Sequence, residues 1–65
     1  MKLQINDRGS WRHIADFSAI NESAVRQRAA KLVPVLSERA SLRIVDDKGN
    51  AKTHCKGPDF DWKEV

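Results

Sequence analysis

The chain is poor in the residues that most often carry covalent staples or reactive chemistry. Among 65 residues there is one cysteine, Cys55, one methionine and no tyrosine, and glycine and proline number three and two. A lone cysteine closes no internal disulfide, which suits a reducing compartment. No run of roughly 18 apolar residues occurs, so no segment reads as a membrane-spanning helix. The start, Met1-Lys2-Leu3-Gln4-Ile5-Asn6-Asp7, has no long apolar stretch of the secretory kind, and the expected setting is cytoplasmic. Neither sign of charge dominates. Twelve Lys and Arg against nine Asp and Glu leave +3, well short of a nucleic-acid-binding arm. A chain of this length makes one domain and buries only about 60% of the surface it exposes when unfolded.

What is present is a short pattern that occurs twice, Ile5-Asn6-Asp7-Arg8-Gly9-Ser10 and Val45-Asp46-Asp47-Lys48-Gly49-Asn50. Asn and Asp side chains bond nearby backbone amides, and glycine accepts the positive φ that closes a tight turn. Each copy suits a type I turn followed by a glycine bulge, and so predicts a hairpin. Lys2–Asn6 alternates as a strand, with Leu3 and Ile5 on one face, and Trp11–Phe17 reads as its partner. Ser41–Asp46 and Ala51–Cys55 form the second pair. Between the hairpins, Val25, Ala29, Leu32 and Leu36 fall on one helical stripe, which predicts a helix from about Glu22 to Glu38. Asn21 or Ser23 would cap it, and Glu22 sits where the helix dipole favours an anion. Pro34 lies opposite that stripe, on the side where a bend costs least.

The resulting fold is α+β with ββαββ order, a four-stranded sheet with one helix across one face. The domain spans residues 1–57, and Gly57-Pro58 breaks the last strand. Residues 58–65 form an acidic, aromatic tail. One helix covers one face of a sheet, so the other face is expected to carry Arg43, Val45, Lys52 and His54. Phe60 and Trp62 share a parity in an extended chain, and the reading folds the tail back over that open face. Together Arg43, Val45, Lys52, His54, Phe60 and Trp62 are the candidate contacts for a protein partner or a second copy of this chain.

Catalytic patterns are missing. Cys-x-x-Cys and His-x-x-x-His spacings, phosphate loops, dinucleotide fingerprints and nucleophile elbows do not occur. His54 and Cys55 are neighbours on a strand and point to opposite faces, so they do not converge on one ion. Cys55 as a nucleophile would need a base, for which His13 is the candidate. The carboxylates Asp7, Asp46 and Asp47 are explained by turn chemistry. The expectation is a binding protein rather than an enzyme, with no metal and no cofactor.

Two resemblances add context. The segment Ile14–Arg28 resembles a helix-turn-helix, with Ala15, Ile20 and Val25 at that family's apolar spacing. It departs from the family at Ser18, a position normally apolar, and at Ala19, where the turn glycine normally stands. The resemblance implies a winged DNA-binding regulator in which Arg26, Gln27 and Arg28 lie on the recognition helix, with Lys48 and Lys52 on the wing. Over most of its length the chain instead resembles small phage- or prophage-encoded proteins of unassigned function. That likeness rests on Asn6–Arg12 and Leu42–Gly49. It implies a short accessory protein that binds a host or phage component.

Overall fold

The computed structural model describes residues 1–65 and is α+β, with one helix and one antiparallel sheet. Its elements are β1 (Lys2–Asn6), β2 (Arg12–Asp16), a 3-10 turn (Ala19–Asn21), α1 (Glu22–Leu36), β3 (Ser41–Val45), β4 (Ala51–Lys56) and β5 (Lys63–Glu64). The four expected strands are present, and the tail adds a fifth, so the sheet runs β2-β1-β3-β4-β5. The winged helix-turn-helix alternative is corrected here. It needs a helix over Trp11–Ala19, whereas Arg12–Asp16 is a strand paired antiparallel with β1. The cause is local, because the first turn returns the chain directly onto β1.

Both repeated turns form as their sequences dictate. Gly9 and Gly49 take φ of 93° and 87°. The Asn6 side chain accepts the Gly9 amide at 2.9 Å, and the Asp46 carboxylate accepts the Lys48 and Asn50 amides, each at 2.9 Å. The helix begins at Glu22, as expected, and ends at Leu36, two residues before the expected Glu38. Neither expected cap forms. Asn21 makes no capping bond, and Ser18 instead accepts the Ile20 amide at the start of the 3-10 turn.

The core joins Leu3, Leu42, Ile44 and Cys55 of the sheet to Ala29 and Val33 of α1, with Ala40 and Phe60 from the connecting segments. The helix is rotated relative to the sequence stripe. Val33 is buried, whereas Leu32 and Leu36 are 58% and 72% exposed. Pro34 is half-buried, so it does not lie on the outermost side. The reason is the tail. Phe60 is buried among the core residues, and the Trp62 indole N–H donates to the Arg26 carbonyl at 2.8 Å. These contacts draw the Arg26–Ala30–Val33 side of the helix toward the β4 half of the sheet.

The tail therefore packs on the helix side, and the expected cover over the open face is corrected. Thr53, fully buried, donates its hydroxyl to the Lys63 carbonyl at 2.9 Å and holds β5 to β4. Phe60 adopts φ 52°, a left-handed conformation costly for an aromatic residue, and core burial holds it there. Gly57 packs so closely against the Glu38 carbonyl that a Cβ would overlap it.

Phe60→Ala is expected to cost about 3–5 kcal/mol, the usual range for emptying a core aromatic site. Leu36→Ala, by contrast, is expected to stay within about 0.5 kcal/mol because that side chain is already in water. Urea denaturation of the two variants checks the assignment of the buried face. Equal losses would contradict it.

Candidate functional site

Two surfaces stand out, one on each side of the sheet. The first is an apolar groove of about 510 Å³ between α1 and the β1–β2 end of the sheet. Its floor is Leu3, Ala15 and Phe17, and its wall is Ala24, Val25, Arg28, Ala29 and Leu32, with Asn21 just before the helix. Residues 21, 24, 25, 28 and 32 form a second helical stripe beside the buried one. The single stripe expected from Val25, Ala29, Leu32 and Leu36 straddles both. Next to the groove, β2 is the outermost strand, exposed along its whole length, with one backbone edge unpaired. Ile14 on that strand is also largely exposed.

The second surface is the sheet face turned away from α1. Strand register aligns His13, Gln4, Arg43, His54 and Lys63 in one row across all five strands. Directly opposed residues share a face, so this row lies opposite the row holding Leu42 and Cys55. Arg43 and His54 are thus on the open face as expected. Arg43 stacks on the Trp11 ring at 4.1 Å from its centroid, and its Nε donates to the Gln4 side chain at 2.7 Å.

Three expected contacts lie elsewhere, and a fourth, Val45, is on the expected face but covered. Val45 pairs with Lys2 and Ala51 and is only 5% exposed, so it offers the open face little surface. Lys52 is the extra residue of a β-bulge, since Ile44 opposes Thr53 while Val45 opposes Ala51. The bulge turns Lys52 to the helix side, where its Nζ meets Glu22 at 3.1 Å. A bulge redirects a side chain in just this way. Phe60 is core, and Trp62 is anchored to α1.

The residues implied by a helix-turn-helix divide similarly. Arg26 pairs with Glu22 and with Glu64, the latter at 3.1 Å, and lies 5.9 Å from the Trp62 centroid. Gln27 is exposed, Arg28 lines the groove, and Lys48 sits on the exposed second turn. Glu22 is the hub of the helix-side ion pairs. Its carboxyl is held below the ordinary value of 4.5 chiefly by the Lys52 hydrogen bond, against the opposing effect of burial and with help from Arg26.

His13 and Cys55 lie on opposite sheet faces, so the nucleophile–base pairing does not form. Burial, with the charge of Asp61 adding to it, pushes the Cys55 thiol up to about 11. His13 instead contacts Asp16 at 3.6 Å. No group of three His, Cys, Asp or Glu side chains converges in a way that could hold a metal ion. No helix is long and apolar enough to cross a membrane. Comparison with known proteins adds no relative, since no family model, curated protein or solved structure matches the chain.

The groove and the Trp11–Arg43 pair were not legible as sites in the sequence. The available signal was the spacing of Ala24, Val25, Arg28 and Leu32, a second stripe hidden by its overlap with the first. Trp11 immediately precedes β2, and nothing local links it to Arg43.

Two outcomes follow from the ionisations. Folded protein at pH 8 is expected to react with a thiol reagent at least tenfold more slowly than protein in denaturant, because thiolate is scarce and Cys55 is covered. Equal rates would contradict its burial. Glu22 has a depressed folded-state pKa, so its stabilisation is present above about pH 4.5 and is lost as the pH falls through the folded value. The stability gap between wild type and Glu22→Gln, followed by urea titration, should shrink on acidification. A gap independent of pH would contradict the hub.

Proposed function

We propose that the protein is a non-catalytic binding module that recruits another protein through the groove between α1 and β2. The carrying observation is an apolar recess of about 510 Å³ lying beside an unpaired strand edge. Isolated exposed leucines are ordinary on a protein surface, but a contiguous apolar patch marks a contact site. An extended segment laid along β2 gains main-chain hydrogen bonds from the free edge. Alternate side chains of that segment then point to the helix side, where Ala24, Val25 and Leu32 wait.

The favoured occupant is an apolar strand of a partner, in the setting of the phage-type accessory proteins that the sequence resembles. A second copy meeting β2 against β2 would use the same edge and give a homodimer. A duplex-DNA regulator has weaker support. Arg26 and Lys52 are neutralised by Glu22 and Glu64, and the recognition-helix architecture is absent.

The test uses Ala24→Gln/Leu32→Gln, two changes on exposed helix positions that leave the core untouched. Affinity capture from the lysate of the producing cell and sedimentation equilibrium are run on both proteins. The expected result is a captured partner, or a dimer, weakened at least tenfold by the double substitution. Capture and self-association that ignore the substitutions would overturn the groove as the contact.

A further inference from the structure

We infer that the sheet face opposite α1 binds single-stranded nucleic acid, a capacity separate from the groove. The face carries the cations Lys2, Arg43, Lys56 and Lys63 on four strands, and the strand register gives it one carboxylate, Asp16. None of these four cations is in an ion pair, because the helix-side carboxylates Glu22 and Glu64 are engaged by Arg26 and Lys52. Four of the ten Lys and Arg side chains that stand outside any ion pair thus lie on this one face. Asp59 and Asp61 border only its β4–β5 end, where they share a shallow recess with His54, Lys56 and Lys63. The centre of the face is clear of them.

Arg43 is the organising residue. The Trp11 ring stacks on its guanidinium, and Gln4 fixes its Nε, so the group is held in place before any ligand arrives. Its two terminal nitrogens have no protein acceptor, since the Gln4 bond is the only one its side chain makes. A fixed guanidinium fork with both ends free matches a phosphate or a base edge, and it loses little entropy on binding either. Trp11 is 38% exposed and supplies the aromatic surface on which a base can stack.

The strandedness follows from shape. A duplex groove admits a helix or a two-stranded ribbon. A five-stranded face, about 19 Å across at the usual strand spacing, does not enter one. Bases reach Trp11 only when they are unpaired and splayed from the backbone, and the cationic row then follows the phosphates. An acidic peptide would satisfy the charges but would leave the stacking surface unused.

The experiment is fluorescence anisotropy of a labelled twelve-nucleotide oligothymidine with the full chain, read together with tryptophan emission. Binding at 50 mM salt with quenched emission is expected, and it should weaken about tenfold or more at 200 mM, as two to three phosphate contacts require. Arg43→Gln and Trp11→Ala should each weaken binding about tenfold with circular dichroism unchanged, and Trp11→Phe should retain most of it. Ala24→Gln/Leu32→Gln should bind as wild type, which keeps this outcome independent of the groove. The inference is overturned by no binding at 50 mM salt or by equal affinity for a twelve-base-pair duplex. It is equally overturned by full displacement with polyglutamate at matched charge, or by wild-type affinity in both Arg43→Gln and Trp11→Ala.

Discussion

A single α-helix is too narrow for the sheet it covers, and the rest of the molecule follows from that mismatch. Five strands span about 19 Å, whereas a helix with its side chains is about 10 Å across. Something else must shield the flanks. On the β4 side the tail does so, with Phe60 in the core and Trp62 bonded to the helix backbone. On the β2 side nothing does, and the space left over is the groove. The tail and the groove are two answers to the same geometric deficit, one supplied within the chain and one left open.

Charge is sorted by the same division into sides. Glu22 opens the helix, where its position near the amino-terminal dipole favours an anion. It draws Arg26 and the bulged Lys52 to itself. Glu64 in β5 takes the other end of Arg26. These pairs lace the tail, helix and β4 together and engage Arg26 and Lys52, two of the cations that a winged recognition helix would have needed. On the far face Lys2, Arg43, Lys56 and Lys63 make no ion pair, although Asp16 lies opposite Lys2, and Arg43 is held by an aromatic ring and an amide instead. The apolar groove and the basic face are therefore distinct surfaces with different chemistry, and a small chain of this kind has room for both.

How much of this was legible depends on the range of the interaction. The turns were, because Asn6, Asp46, Gly9 and Gly49 act through bonds within four residues. The four long strands and the helix start were also legible, since alternation and helical spacing are local. The side of each residue was less so. A bulge at Lys52 turned that side chain to the opposite face, and nothing in Ala51-Lys52-Thr53 announces it. The rotation of α1 was hidden because Val25 and Ala29 serve both the buried and the groove stripes. Strand β5 has two residues and no pattern of its own. It exists because Thr53 binds the Lys63 carbonyl and Trp62 binds α1, both contacts between distant parts of the chain. The open face was expected correctly at Arg43 and His54, but the tail expected to cover it serves the core instead.

The uneven cover of the sheet is tested most directly by solvent paramagnetic relaxation of methyl groups with a neutral soluble nitroxide. The sample is kept at a concentration where sedimentation shows a monomer, so that no second copy fills the groove. The account predicts strong attenuation at Leu32, Ala24 and Ile14, and protection at Leu42, Ile44 and Val33. Protection of Leu32 and Ala24 equal to that of Leu42 would contradict it, because the β2 flank would then be covered as fully as the β4 flank.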